Sequence, residues 1–109
     1  ETNVDLFASA FGNAHGRYRN TLNRLDFALL REISERVNTP LVLHGGSGLT
    51  YDEIRACIYS GVTKINVSTD LKEAFEKAVL KKNVHTNHFA FNNLLNEEYL
   101  KVLEHYFGI

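Results

Sequence analysis

The 109-residue chain contains no methionine and opens on Glu1. A translation product ordinarily starts with Met, so these residues are expected to be the back part of something longer. Cysteine is nearly missing too: Cys57 is the only one. That excludes an internal disulfide framework and fits a reducing, cytoplasmic compartment. Charge of either sign is not in excess, with 12 basic and 13 acidic residues. Nothing electrostatic therefore argues for nucleic acid or a membrane surface as partner. No apolar run approaches the roughly 20 residues of a transmembrane helix. No N-terminal segment reads as a signal peptide, and no stretch is low-complexity. The hydrophobic share of 44% is ordinary for a soluble globular chain, and the length allows one domain with a real core.

What is present is an alternation. Residues 4 to 11, VDLFASAF, form a short apolar run ending in Gly12-Asn13-Ala14-His15-Gly16. Residues 17 to 24 are polar and loop-like. In LDFALLREISERV (25 to 37), Leu25, Leu29, Ile33 and Val37 recur four apart on one helical face. Pro40 disfavours a helical predecessor and opens a new extended run, Leu41-Val42-Leu43, which stops at His44-Gly45-Gly46-Ser47-Gly48. Thr50 and Glu53 have capping-box spacing, so a helix begins there, with Ile54, Cys57 and Ile58 as its apolar stripe. Cys57 is thus a core residue, and Gly61 ends the helix as a left-handed cap. A third extended run, 62 to 67, stops at Ser68-Thr69-Asp70. Leu71, Ala74, Phe75, Ala78 and Val79 then mark the clearest amphipathic helix. After about residue 83 the pattern fades: NVHTNHFAFNN reads as a loop and EEYLKVLEHYFGI as a terminal helix.

Strand–helix alternation at this spacing means right-handed βαβ crossovers and parallel strands. An open doubly wound sheet could contain three such units. So could a (β/α)8 barrel, which takes about 250 residues, and of which this chain would supply less than half. Residues 1 to 82 form the α/β part and 83 to 109 a C-terminal loop and helix of the same domain.

The unusual residues collect at strand C-terminal ends, the rim where parallel α/β architectures bind ligands. His15 and His44 each follow an apolar run and each precede a glycine. On adjacent parallel strands, about 4.8 Å apart, their rings could converge on one ion. Two imidazoles suit zinc, but a catalytic zinc usually takes three protein ligands. One structural histidine plus one loop histidine is the plainer alternative and stays open. Gly45, Gly46, Ser47 and Gly48 bare the backbone, and successive N–H groups there can form an anion nest beside a helix start. A plain strand-to-helix turn also takes glycine, though three in four positions exceeds what a turn requires. Ser68 and Thr69 offer a second such loop at another helix start, where simple N-capping would coexist with phosphate binding. His85, His88 and His105 read as solvated.

Taken together, "ASAFGNAHGRY", "LDFALLREI", "PLVLHGGSGL" and "GVTKINVSTDLKEAF" resemble the class II, metal-dependent ketose-bisphosphate aldolases, in the family's order and over roughly residues 4 to 79. The resemblance implies a (β/α)8 TIM barrel and places these units as its last three, followed by a C-terminal helical tail. It implies His15 and His44 as two of three zinc ligands. It implies Gly16, Gly45, Gly46, Ser47, Ser68 and Thr69 around the phosphate of dihydroxyacetone phosphate, and Asn66 near the substrate's reacting end. A monovalent cation, K+ or Na+, near the phosphate loops is a further implication, as is a homo-oligomer. The reaction would be reversible aldol cleavage of a ketose 1,6-bisphosphate such as fructose 1,6-bisphosphate. Ser68 stands where many fructose-bisphosphate members carry an acidic residue, so tagatose 1,6-bisphosphate or another phosphorylated keto sugar is the alternative substrate. The family's acid/base aspartate sits on an earlier strand beside the third histidine. Asp5 and Asp70 do not match that motif, so no catalytic acid/base is expected in this chain. Alone it would be inactive, awaiting a missing N-terminal half of the barrel. The reading from another class is a non-catalytic phosphate- or metal-binding fragment.

Overall fold

The computed structural model describes residues 3–14 and 25–108. Its elements are helix α1 (Phe27–Arg36), strand β1 (Leu41–Leu43), helix α2 (Tyr51–Tyr59), strand β2 (Val62–Ile65), helix α3 (Thr69–Lys81) and helix α4 (His88–Phe107). They fall into two compact units, Glu1–Val67 and Ser68–Ile109. Among the described residues no helix is long and apolar enough to cross a membrane.

In the first unit β1 and β2 pair in parallel, Leu41 against Val62 and Leu43 against Ile65, with an irregularity between Leu41 and Val42. The helix α2 makes the crossover that parallel pairing demands. The extended run expected over residues 4 to 11 contracts to a single parallel bridge between Phe7 and Leu41. Phe7 N–H donates to Pro40 O at 3.0 Å and Val42 N–H donates to Phe7 O at 2.9 Å. The reason is burial: Val4, Leu6 and Phe7 stay largely exposed, and Phe11 is the aromatic that goes inside. Without cover for alternate side chains, little holds the run in a longer ladder.

Asp26 caps α1, its carboxylate accepting from Leu29 N–H at 2.9 Å. The helix is turned by one position from the four-apart pattern: Leu30 is fully buried while Leu29 is 39% exposed. One residue is roughly 100° of helix rotation, enough to exchange the two. The capping box of α2 is present as expected, with Glu53 N–H donating to Thr50 Oγ1 and Thr50 N–H donating to Glu53 Oε2. Ile54 and Cys57 are fully buried, but Ile58 is half exposed, so the apolar stripe is narrower than the spacing suggested. Gly61 has φ +106°, and a Cβ there would lie 2.0 Å from Ser34 Oγ on α1. Glycine is needed both for the backbone and for the approach of the two segments. Phe11, Leu30, Leu41, Leu43, Ile54 and Cys57 form the fully buried core.

The second unit is the helix pair α3 and α4. Phe75 meets Phe91 edge-on, ring centroids 6.1 Å apart, a favoured aromatic geometry. Tyr106 O–H donates to Asp70 Oδ2 at 2.7 Å. Glu98, nearly buried, receives the ammonium groups of Lys81 and Lys101, each at 2.6 Å. Those two cations hold its carboxyl down to about 2.

The loop expected over residues 83 to 93 is largely helix instead. The helix α4 starts at His88, behind Asn87, whose side chain accepts from Ala90 N–H at 3.0 Å. Asn92 and Asn93 interrupt the apolar period that would have revealed it. Phe91 nevertheless packs on Phe75, and the Asn92 carboxamide sits 3.1 Å from His88 Nε2, one turn away. Only residues 82–87 are left as a connection, closed by Thr86 N–H donating to Asn83 O.

Candidate functional site

The strand β1 is buried along its whole length, and the chain leaves it at His44, which is half-buried. One further ladder bond, Asn66 N–H donating to Leu43 O at 3.0 Å, carries the pairing past β2. It sets Asn66 beside His44, with Asn66 Nδ2 3.4 Å from His44 Nε2. The direction of that carboxamide is set by Lys64, whose ammonium donates to Asn66 Oδ1. An ammonium only donates, so the amide oxygen faces Lys64 and the NH2 turns to the imidazole. The NH2 group also only donates, which gives Nε2 the accepting side of this contact.

A second carboxamide reaches the same place from the segment after Phe7. Asn13 Oδ1 accepts from Phe11 N–H at 3.0 Å, and Asn13 Nδ2 donates to His44 O at 2.9 Å. The sequence marks Asn13 only as part of a cluster. Its role was legible in no spacing, because its partner lies 31 residues away.

The glycine loop follows His44 directly. Gly45 and Gly48 have φ of 69° and 85°, the region that favours glycine. Gly45, Gly46 and Ser47 are buried, so this is a packed turn rather than a bare loop. At Gly46 an added Cβ would stand 2.8 Å from Ile65 Cγ2 and 3.5 Å from Asn66 O. Gly46 is therefore explained by contact with the end of β2, a cause distinct from exposing N–H groups to a ligand. The turn closes with Leu49 N–H donating to Gly46 O.

Ser68 and Thr69 open the second unit. Ser68 is the N-cap of α3 but makes no side-chain cap hydrogen bond, so simple capping does not account for its hydroxyl. His15 and Gly16 lie outside the described residues. His85, His88 and His105 are exposed, as expected. Cys57 is buried, and burial pushes its thiol up to about 11, with the nearby Glu53 carboxylate adding to the shift. A thiol held that way is a poor nucleophile.

Among the described residues no group of three His, Cys, Asp or Glu side chains comes together to hold a metal ion. His44 alone among them has the placement of a rim ligand. Its carbonyl is held by Asn13 and its Nε2 stands 3.4 Å from Asn66 Nδ2; an imidazole nitrogen is a common zinc donor, but the ligand set among the described residues is incomplete.

The architecture defines an α/β protein with a short parallel sheet and polar groups converging beyond the strands' C-terminal ends. Its sequence matches the family model of class-II fructose-bisphosphate aldolase over residues 1–108, and the chain belongs to that family. It is 45% identical over 76 residues to a fructose-bisphosphate aldolase of Ureaplasma parvum serovar 3 (strain ATCC 700970). That alignment takes in 70% of this chain and 26% of the relative. A protein from Coccidioides immitis, described as a candidate fructose-1,6-bisphosphate aldolase, superposes with a TM-score of 0.79 at 30% identity, over 93% of this chain and 37% of its own. The YdjI aldolase from Escherichia coli K12 superposes with a TM-score of 0.75 at 29% identity, over 92% of this chain and 36% of its own. The chain thus spans about a quarter to somewhat over a third of these relatives' length.

Proposed function

We propose that this chain is part of an enzyme that reversibly cleaves a ketose 1,6-bisphosphate, such as fructose 1,6-bisphosphate, to dihydroxyacetone phosphate and an aldehyde phosphate. In this reading residues 1–82 are the last three βα units of a (β/α)8 barrel and 83–109 its C-terminal loop and helix. The observation that carries it is the meeting of His44 and Asn66 at adjacent parallel strand ends, directly followed by the glycine turn. Family membership supplies the reaction class.

His44, with His15, would hold a zinc ion, and a third ligand would come from another part of the protein. When bound, the metal supplies Lewis acidity toward a ketose carbonyl oxygen. The chain's own residues do the rest of what can be assigned to it. His44 presents an imidazole nitrogen at the strand's end, 3.4 Å from Asn66 Nδ2. Asn66, its carboxamide oriented by Lys64, presents N–H donors beside the imidazole and can hold a substrate oxygen there. The backbone of Gly16 and of Gly45, Gly46 and Ser47 would take a phosphate. Ser68 and Thr69 keep the phosphate role that the resemblance gives them, supported by a hydroxyl at the start of α3 that capping does not use. Such a helix start favours an anion. A K+ or Na+ ion near the same backbone groups belongs to this reading.

The acid/base group is assigned to no residue here, so the isolated chain should not cleave substrate even with zinc added. A homo-oligomer fits the exposed Phe89, Leu100 and Phe107 on α4, since large apolar side chains in number mark contact surfaces. The decisive experiment is cleavage of fructose 1,6-bisphosphate by the intact protein. Chelation should abolish it, zinc should restore it, and His44→Ala should abolish it. Full activity after metal removal overturns the reading. Parallel assays with tagatose 1,6-bisphosphate test the alternative that Ser68 raises.

A further inference from the structure

We propose that Asn13 is a positioning residue for His44: its carboxamide fixes the direction of the His44 carbonyl and so aims the imidazole. The proposal rests on the metal reading of the rim given above. Both halves of the carboxamide are in use. Oδ1 accepts from Phe11 N–H at 3.0 Å, and Nδ2 donates to His44 O at 2.9 Å. Its anchor is firm, because Phe11 is 1% exposed and its carbonyl in turn accepts from Asp26 N–H at 2.8 Å.

Its target needs holding. The direction of a carbonyl is the ψ angle of its own residue, and backbone angles govern which side-chain rotamers are open. His44 lies one residue past β1, and the residue after it is Gly45 with φ 69°. Glycine permits nearly any rotation on that side. Without Asn13 the peptide between His44 and Gly45 would lose a fixed bond at the point where the strand gives way to a glycine turn. With it, ψ of His44 is set by a segment 31 residues away, the segment that leads two positions later to His15. The carboxamide divides the two tasks between two atoms, Oδ1 accepting from Phe11 and Nδ2 donating to His44. Aspartate keeps the acceptor and loses the donor; alanine loses both.

The test is zinc affinity of the purified protein, by competition with a chromophoric chelator, alongside unfolding by denaturant of the metal-free form. Asn13→Ala should weaken zinc binding about 10- to 100-fold, the usual effect of removing a residue that orients a ligand. Thr63→Val is the comparison. It removes another side-chain bond to backbone in the same sheet, Thr63 O–H to Leu41 O at 3.2 Å, away from the rim. It should leave zinc affinity unchanged. Equal loss in both variants would make Asn13 merely structural and overturns the proposal, as does unchanged affinity in Asn13→Ala. Should Asn13→Ala fail to fold, Asn13→Asp is measured. Its added negative charge by itself favours a cation, so a drop in affinity supports the lost donor, and an unchanged or higher affinity counts against it. His44→Ala separates the levels. Zinc binding that ignores His44→Ala overturns the metal reading as well; binding that needs His44 but not Asn13 overturns the positioning role alone.

Discussion

Gly46→Ala is the sharpest probe of the turn. The new Cβ would sit 2.8 Å from Ile65 Cγ2, while Asn66 O and Leu43 Cδ2, at 3.5 and 3.8 Å, are at ordinary contact. Carbon atoms in comfortable contact are about 3.5 to 4.0 Å apart, so one methyl must retreat by most of an ångström. Ile65 is β-branched and stiff at χ1, and Cγ2 is bonded directly to its Cβ. The methyl can yield only by rotating that whole side chain or by moving the end of β2. Overpacking of this kind costs about 1 to 3 kcal/mol. The assay is a double-mutant cycle with Ile65→Ala, by denaturant unfolding in chelator. Ile65→Ala removes the offending methyl, so Gly46→Ala should cost little in that background. The coupling should recover most of the roughly 1 to 3 kcal/mol. If β2 is what moves, Asn66 moves with it, and its 3.4 Å approach to His44 opens. The intact enzyme should then show a raised KM. An equal cost of Gly46→Ala in both backgrounds would refute the steric account and return the glycine to ligand access alone.

Three other outcomes follow from single contacts. Gly61→Ala combines a φ of +106° with a Cβ 2.0 Å from Ser34 Oγ and should destabilise by roughly 2 to 5 kcal/mol. Ser34→Gly should recover only part of that loss, since the backbone strain stays, and full recovery in denaturant melts would count against the strain. Glu98 is held at about 2 against an ordinary 4.5, so the unfolded chain takes up its proton first on acidification. The stability from Lys81 and Lys101 is whole above 4.5 and lost as pH falls toward 2. Glu98→Gln should flatten that limb of a stability-against-pH curve. Cys57, raised from 9.0 to about 11, should resist a disulfide exchange reagent at pH 8 in the folded protein and react on unfolding. Its contribution is present below pH 9 and lost as pH rises through 11; rapid reaction of the native protein would contradict the burial.

Local chemistry was legible at several places where a signal and its partner lie close in the chain, though the Asp26 and Asn87 caps escaped notice. Thr50 and Glu53 are three apart and made their capping box; Gly61 announced a positive φ. The rim histidine at the end of Leu41-Val42-Leu43 was legible because a buried run that stops at a polar residue and glycines has few other meanings. Errors came where tertiary packing chose between neighbours. Leu30 rather than Leu29 faces inward because what the helix packs against, not the repeat alone, sets its rotation. Residues 4 to 11 look like a strand, yet only Phe7 bridges, because Val4 and Leu6 find no cover. The start of α4 was hidden by Asn92 and Asn93, whose polarity breaks the apolar period without breaking the helix.

By itself, then, the sequence determined the order β1, α2, β2, α3, the Thr50–Glu53 capping box, the core identity of Cys57, and the family whose motifs it carries. Those depend on residue type and on spacings of a few positions. The tertiary structure alone decided that Asn13 holds the His44 carbonyl, that Lys64 turns Asn66 toward the imidazole, and that Gly46 is small for the sake of Ile65. Each of these joins residues through hydrogen bonds or contacts of 2.8 to 3.4 Å, or through an ammonium beside an amide. Directions and distances of that order exist only once parallel strands have paired in a definite register.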